Sequence, residues 1–250
     1  LVKLTPISPE FGFGLFIIGS APGGGASNVW TRLLGSDLNL SITMTLISSL
    51  AALGMIPLLF VTLGNLIKPL SVSRLPYGLI TAQILAIFLP VVGSLLMRRF
   101  CPSLADKLRL GMRSTALIFL LYVIIFGSVA YLPIYRLMAR YPLLLAVGAI
   151  LPFTGYLIGF IFAKLLCCPW PLVTAIAIET GVQNSGVAIL ILINAMPQPE
   201  GDLGVIMPII VALMTPLPLI CIFLVRLVVG LIKRKEAKVS STESDDIDVL

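Results

Sequence analysis

The sequence of 250 residues contains no histidine, and only 11% of its residues are charged. Without histidine the chain cannot build a Ser-His-Asp triad, a Cys-His pair or a histidine-ligated metal or haem site. The charged share lies far below the roughly 25% that is typical of soluble domains, whereas 58% of the residues are hydrophobic. These values exclude a soluble enzyme and indicate an integral membrane protein, and we expect no enzymatic activity.

The few charges and cysteines do not indicate a nucleic-acid or zinc site. A net charge of +6 would suit a nucleic-acid partner in a soluble protein, but here the basic residues gather at the ends of apolar segments. The four cysteines form no C-x-x-C pair. We expect no nucleic-acid partner and no organic cofactor. We expect the protein to lie in a lipid bilayer, and the sequence leaves its oligomeric state open.

Long apolar segments predict an all-α, multi-pass membrane protein. Each segment has enough residues to cross a hydrocarbon core of about 30 Å as a helix. Prolines within several of them predict kinked helices. From position 233 onwards the chain is basic, then serine-rich and then acidic, which predicts a disordered tail over 233–250. The predicted segments are 11–31, 38–64, 76–97, 111–132, 141–166, 170–196 and 203–232.

The distribution of Lys and Arg predicts the orientation of these segments in the membrane. If the segments alternate in direction, twelve basic residues fall on the side of the carboxy-terminal tail and five on the other side. Basic residues accumulate on the cytoplasmic side of membrane proteins. We therefore expect a cytoplasmic tail and an external amino end, in the plasma membrane.

Two of the segments contain polar, glycine-rich interruptions. The first is interrupted over Ser20–Asn28 and the sixth over Glu179–Gly186. Such breaks are tolerated at membrane depth only inside protein or beside water. A pair of them at corresponding positions of two halves indicates the binding site of a secondary transporter. Their separation by five spans predicts an inverted repeat of about ten spans, of which this chain would hold seven.

Glu179 is the only acidic residue deep within a predicted span. A carboxylate at the bilayer centre costs about 2.5–3.5 kcal/mol on insertion scales, so it calls for a bound cation or a proton. We interpret it as a sodium ligand; the alternative is a structural carboxyl group that is hydrogen-bonded between helices. The nearby oxygen donors are Ser27, Asn28, Ser41, Thr43, Thr45, Thr180, Gln183, Asn184 and Ser185.

Two stretches of this sequence resemble the sodium/bile acid symporter family. They are FGFGLFIIGSAPGGGASNVWTRLLGSDLNLSITMTLISS at 11–49 and ETGVQNSGVA at 179–188. The resemblance implies a fold of ten helices, or nine in animal members, with two crossed discontinuous helices. It also implies a core domain, here 1–68 and 139–232, and a panel domain, here 69–138.

The resemblance further implies two sodium sites and a substrate position. Asn184 and Asn28 would face the substrate. When the family's ligands are carried over position by position, the first sodium site would use Ser27, Asn28, Ser41, Thr45 and Glu179. The second sodium site would use Glu179, Thr180, Val182 and Gln183, with the backbone oxygens of Thr180 and Val182 as ligands.

The function implied is sodium-coupled symport of an amphipathic organic anion, such as a bile acid or a steroid conjugate, by alternating access. Sodium would be a co-transported ion. One alternative is a seven-span receptor, which would share the span number and orientation, although the sequence lacks the Asp/Glu-Arg-Tyr and Asn-Pro-x-x-Tyr signatures. Another is a family relative that does not transport.

Overall fold

The computed structural model describes residues 5–67, 77–108 and 132–247, together with positions 118, 121, 122, 125, 126 and 129. Over these residues the chain is helical, and they contain no β-strand. A short 3₁₀ turn follows α3, and 102–108 are also helical. The principal helices are α1 Pro9–Ser20, α2 Ala26–Leu33, α3 Leu38–Thr62, α4 Tyr77–Phe100, α5 Leu132–Arg140, α6 Pro142–Leu165, α7 Trp170–Gly181, α8 Ser185–Ala195, α9 Glu200–Met214 and α10 Pro216–Ile247.

Most predicted segments correspond to helices. The second, third and fifth become α3, α4 and α6, whereas the first, sixth and seventh each become a pair of helices. The fourth segment, 111–132, lies mostly outside the described residues. Among the described residues, three helical stretches are long and apolar enough to cross a membrane: Leu38–Thr62, Pro142–Leu165 and Glu200–Gly230.

The helices bury polar side chains and expose apolar ones. On α3 the side chains of Ser41 and Thr45 are buried at 0% and 2% exposure, whereas Ile47 is 63% exposed. The outer faces of α6 and α10 also carry many exposed leucine, isoleucine and valine side chains. Soluble monomers rarely expose apolar surface of this extent, so this distribution agrees with an integral membrane protein.

Prolines lie inside four of the helices, as the sequence predicts. They are Pro57, Pro90, Pro152 and Pro208. In the seventh segment the chain changes helix at Thr215, between α9 and α10. The last helix continues to Ile247, which differs from the disorder predicted from position 233. Residues 233–238 read Lys-Arg-Lys-Glu-Ala-Lys, and these good helix formers extend a helix that begins in the apolar segment.

Two apolar clusters pack the described helices together. The larger one joins α1, α3, α8 and α9 and includes Phe13, Ile56 and Met207. The smaller one joins α2, α7 and α10 and includes Trp30 and Ile178. On α3 the buried polar face precedes the residues that enter the larger cluster. This arrangement places a polar layer next to the apolar core.

Candidate functional site

The interruptions in the first and sixth segments are true breaks between helices, and they touch each other. Residues 21–25 separate α1 from α2, and residues 182–184 separate α7 from α8. Gly23 and Gln183 form an antiparallel β-bridge between the two breaks. The two broken segments therefore meet in opposite chain directions at one point.

Hydrogen bonds across this point satisfy backbone groups that the breaks leave free. The N–H of Gly24 donates to the carbonyl of Val182 at 2.9 Å, and the N–H of Asn184 donates to the carbonyl of Pro22 at 2.8 Å. An unsatisfied backbone group would cost several kcal/mol in hydrocarbon. Each break thus supplies hydrogen-bond partners that the other requires.

Glycine is needed where the two chains cross. A Cβ atom on Gly23 would lie 2.5 Å from Oε1 of Glu179. On Gly24 it would lie 2.6 Å from the carbonyl oxygen of Gln183. The glycines after Pro22 therefore allow the first break to lie directly against the second break and its carboxyl group.

The carboxyl group of Glu179 lies beside the crossing and is only 6% exposed. The hydroxyl of Thr45 donates to its Oε1 at 2.6 Å, and that of Ser41 donates to its Oε2 at 3.0 Å. The hydroxyl of Thr31 in turn donates to the Ser41 oxygen at 3.2 Å. The hydrogen-bond partners identified around this acid are thus neutral hydroxyl groups.

The turn between α2 and α3 brings the hydroxyl groups of both helices to the carboxyl. Gly35 ends α2 with a φ of +63°, and the N–H of Ser36 donates to the carbonyl of Thr31 at 2.9 Å. This is a Schellman motif, and glycine is the residue that adopts its left-handed position without strain. Oδ1 of Asp37 then accepts from the N–H of Leu40 at 2.9 Å and caps α3. The short turn therefore folds the start of α3 back along α2.

The five residues of the first expected sodium site lie together in this region. The Asn28 amide donates to the Thr45 hydroxyl at 3.4 Å, and the Ser27 hydroxyl donates to the Gly24 carbonyl at 2.8 Å. Oδ1 of Asn28 is buried and has no hydrogen-bond partner. Buried acceptors of this kind are rare. An oxygen without a donor, close to a carboxylate, is a suitable ligand for a cation.

A cavity of about 240 Å³ lies beside the crossing. Small-molecule sites usually occupy roughly 300–1,000 Å³, so this cavity fits an ion with several waters of about 30 Å³ each. Oε1 of Gln183 is buried there without a hydrogen-bond partner, while its Nε2 donates to the Thr180 carbonyl at 3.0 Å. The lining comes from both breaks, from the ends of α1 and α7 that adjoin them, and from α3: Ser20, Ala21, Pro22, Gly23, Ser48, Ala51, Ala52, Met55, Glu179, Thr180, Val182 and Gln183.

Two of the oxygen donors expected from the sequence have other partners. The Thr43 hydroxyl is exposed and donates to the Asn39 carbonyl of its own helix at 2.8 Å, away from Glu179. Oδ1 of Asn184 accepts from the N–H of Val187 at 3.1 Å and caps α8. An asparagine directly before an apolar helix is a typical capping signal. A substrate role for Asn184 remains a prediction.

The sequence analysis missed two polar residues of the site. Thr31 follows Ser27 by four positions on α2, so helical periodicity was an available signal for it. Ser48 accepts from the N–H of Gly23 at 3.2 Å and lines the cavity. It follows Thr45 by three positions and Ser41 by seven on α3, so helical periodicity was an available signal for it as well.

Comparisons with known proteins give one consistent family. The Sodium Bile acid symporter family matches residues 1–140. The mouse ileal sodium/bile acid cotransporter is 31% identical over 172 residues, which are 68% of this chain and 48% of that protein. The human hepatic sodium/bile acid cotransporter is 29% identical over 189 residues, 74% of this chain and 53% of that protein. The mouse P3 protein is 30% identical over 214 residues, 85% of this chain and 45% of that protein.

These matches confirm the resemblance found in the two motifs. The chain spans about half the length of the curated relatives it matches. The matched relatives do not favour the alternative of a seven-span receptor, and the cotransporters among them are transporters rather than enzymes. The chain belongs to the sodium/bile acid symporter family of integral membrane transporters.

Proposed function

We propose that the protein is a sodium-coupled symporter of an amphipathic organic anion, such as a bile acid or a steroid conjugate. The observation that carries this proposal is the buried carboxyl group of Glu179 at the crossing of the two breaks. A carboxylate at membrane depth requires compensation, and the partners identified for this one are neutral. A bound sodium ion supplies the missing positive charge.

The first sodium ion would bind between α2, α3 and α7. Its ligands would be Ser27, Asn28, Ser41, Thr45 and Glu179, and the unpaired Oδ1 of Asn28 supports this assignment. The hydroxyl groups that donate to the carboxyl in this structure also carry acceptor lone pairs. When a cation enters, the hydroxyls can rotate their protons away and present oxygen to it without a change in helix packing.

The second sodium ion would bind on the cavity side of the same carboxyl, with Thr180, Val182 and Gln183. The Val182 carbonyl accepts one hydrogen bond across the crossing and has a second lone pair available. Carbonyls of unwound helix are typical sodium ligands in transporters with broken helices. The unpaired Oε1 of Gln183 supports this position. Because Glu179 would serve both sites, one carboxylate links their occupancy.

The anionic head group of the substrate would bind at the amino ends of α2 and α8. Both half-helices begin at the crossing, where their dipoles favour negative charge. Asn28 and Asn184 are half-buried at these ends. The 240 Å³ cavity is too small for a sterol body, so that body would lie in the crevice between the core (1–68 and 139–232) and the panel (69–138). Much of the panel lies outside the described residues.

The same reasoning extends to the overall architecture. The antiparallel contact between the two breaks supports two inverted halves and a total of about ten spans. Movement of the core against the panel would give alternating access. Each sodium charge that moves down the membrane potential would contribute about 2.3 kcal/mol per 100 mV. The protein would work in the plasma membrane, with its amino end outside and its tail in the cytoplasm.

Uptake measurements test this function. Cells that express the protein would be incubated with radiolabelled bile acids and steroid conjugates, in sodium medium and in choline medium of equal ionic strength. We expect uptake of at least one of these anions in sodium that is absent in choline. Equal uptake in the two media would contradict the proposal. So would the absence of uptake for every anion tested, in cells with normal surface expression of the protein.

A further inference from the structure

Three residues on one turn of α6 lie against the end of α7, beside the second proposed sodium site. They are Gly155, Tyr156 and Gly159, and we call this surface the α6 seat. Their closest neighbours include Thr180 and Gly181. Sequence analysis did not connect α6 with the site, because α6 carries no acid or amide that points to ion binding.

Gly155 lies directly against the backbone of the last turn of α7. A Cβ atom there would lie 2.7 Å from the carbonyl oxygen of Thr180 and 2.9 Å from the Cα of Gly181. Both are backbone atoms, which cannot rotate away as a side chain can. Any side chain at 155 would therefore displace the Thr180 carbonyl, a proposed sodium ligand, or push α6 away from α7.

Gly159 holds the preceding turn of α7 equally close. A Cβ atom there would lie 2.8 Å from the Thr180 hydroxyl and 2.9 Å from the Cα of Ala177. That hydroxyl donates to the Ile176 carbonyl of its own helix at 2.7 Å. The contact between α6 and Thr180 at this position is thus one of packing, and it fixes how near the two helices lie.

Tyr156, the third residue of the α6 seat, contacts both α7 and the last segment of the chain. Its ring packs directly against Gly181, where a Cβ atom would overlap the ring. Its hydroxyl donates to the carbonyl of Thr215 at 2.8 Å, at the junction of α9 and α10. The ring also packs against the small cluster that contains Ile178 and Val182. Tyr156 therefore connects the end of α7 to the last segment of the chain.

We propose that the α6 seat positions the carbonyl oxygens of Thr180 and Val182 and thereby sets the sodium affinity of the second site. Gly155, Tyr156 and Gly159 would act as positioning residues that do not contact the ion. This inference rests on the proposed function, because it requires sodium to bind beside these carbonyls. The first site would depend instead on α2 and α3, whose hydroxyls hold the other side of the carboxyl.

Gly155→Ala tests the proposal, and Gly54→Ala is the matched control. Gly54 also lies within a long helix, but a Cβ atom there would have no neighbour within 4 Å. Mutation of a residue that orients metal ligands typically lowers metal affinity by about 10–100-fold. We expect Gly155→Ala to raise the sodium concentration for half-maximal uptake by about tenfold. The KM for the anion at saturating sodium should stay at the wild-type value, and Gly54→Ala should change neither quantity.

A second variant and a second measurement cover the case in which Gly155→Ala does not reach the cell surface. Tyr156→Phe keeps the ring against Gly181 and removes only the hydrogen bond to Thr215. We expect it to raise the half-maximal sodium concentration by a smaller factor. The sodium affinity can also be obtained from purified protein, by fitting how Tm rises with sodium concentration while choline chloride holds the ionic strength constant.

The outcomes separate this inference from the proposed function. If wild-type uptake depends on sodium but both seat variants keep the wild-type midpoint, the seat has no positioning role. A parallel rise of the sodium midpoint and the anion KM would also contradict the inference, because it would indicate general distortion of the core. Wild-type uptake and Tm that are both indifferent to sodium would contradict the proposed function, and the inference with it.

Discussion

Replacing Glu179 by glutamine removes one negative charge from the centre of the proposed sites. The side chain keeps its length at a position that is 6% exposed. Glutamine Oε1 can still accept from Thr45, and the hydroxyl of Ser41 can turn to accept from the new amide. The network of neutral hydrogen bonds therefore persists, and we expect normal folding and surface expression.

The expected loss of sodium affinity is large. A unit charge about 4 Å from a carboxylate is stabilised by about 4 kcal/mol at an effective dielectric constant near 20. Each 1.4 kcal/mol corresponds to a factor of ten, so roughly a thousandfold loss of sodium affinity follows. Because the carboxylate would belong to both sites, neither ion could be retained at extracellular sodium concentrations.

The assay is uptake of a radiolabelled bile acid in sodium and choline media, normalised to surface protein. We expect no difference between the two media for Glu179→Gln. Asp202→Asn is the matched control, since it neutralises an exposed acid on α9 and should keep wild-type uptake. Sodium-dependent uptake at the wild-type level in Glu179→Gln would refute the assignment of this carboxyl as a sodium ligand.

Three further predictions concern the first site, the helix packing and the orientation. Asn28→Ala should raise the half-maximal sodium concentration for uptake, whereas Asn194→Ala, which loses only a bond to its own helix, should not; equal effects would contradict a ligand role. Gly14→Ala should lower the yield of folded protein in size-exclusion chromatography, because its Cβ would overlap a backbone carbonyl of α9; an unchanged yield would show that α1 and α9 can separate freely. In a cysteine-free variant, Asp202→Cys should react with an impermeant thiol reagent on intact cells and Ser240→Cys only after permeabilisation, and the reverse pattern would overturn the proposed orientation.

The sequence alone identified the breaks and the acid, because both depend on local chemistry. A cluster of proline, glycine and polar residues is unfavourable in a continuous membrane helix, and a carboxylate in an apolar span stands out because it is costly there. The spacing of Ser41 and Thr45 by four positions likewise assigned them to one helix face. These features predicted the discontinuous helices, and the resemblance to the symporter family selected the five hydroxyl, amide and carboxyl groups that the structure brings together.

Only the tertiary structure decided which groups meet and which oxygens stay unpaired. Ser41 and Glu179 are 138 positions apart, and helical periodicity fixes a face without selecting its partner. The free oxygens of Asn28 and Gln183 follow from how the two breaks cross. The α6 seat has no sequence signal, because a glycine becomes informative only when the atoms around its missing Cβ are known. Long-range packing, rather than local propensity, thus determines the shape of the second proposed site.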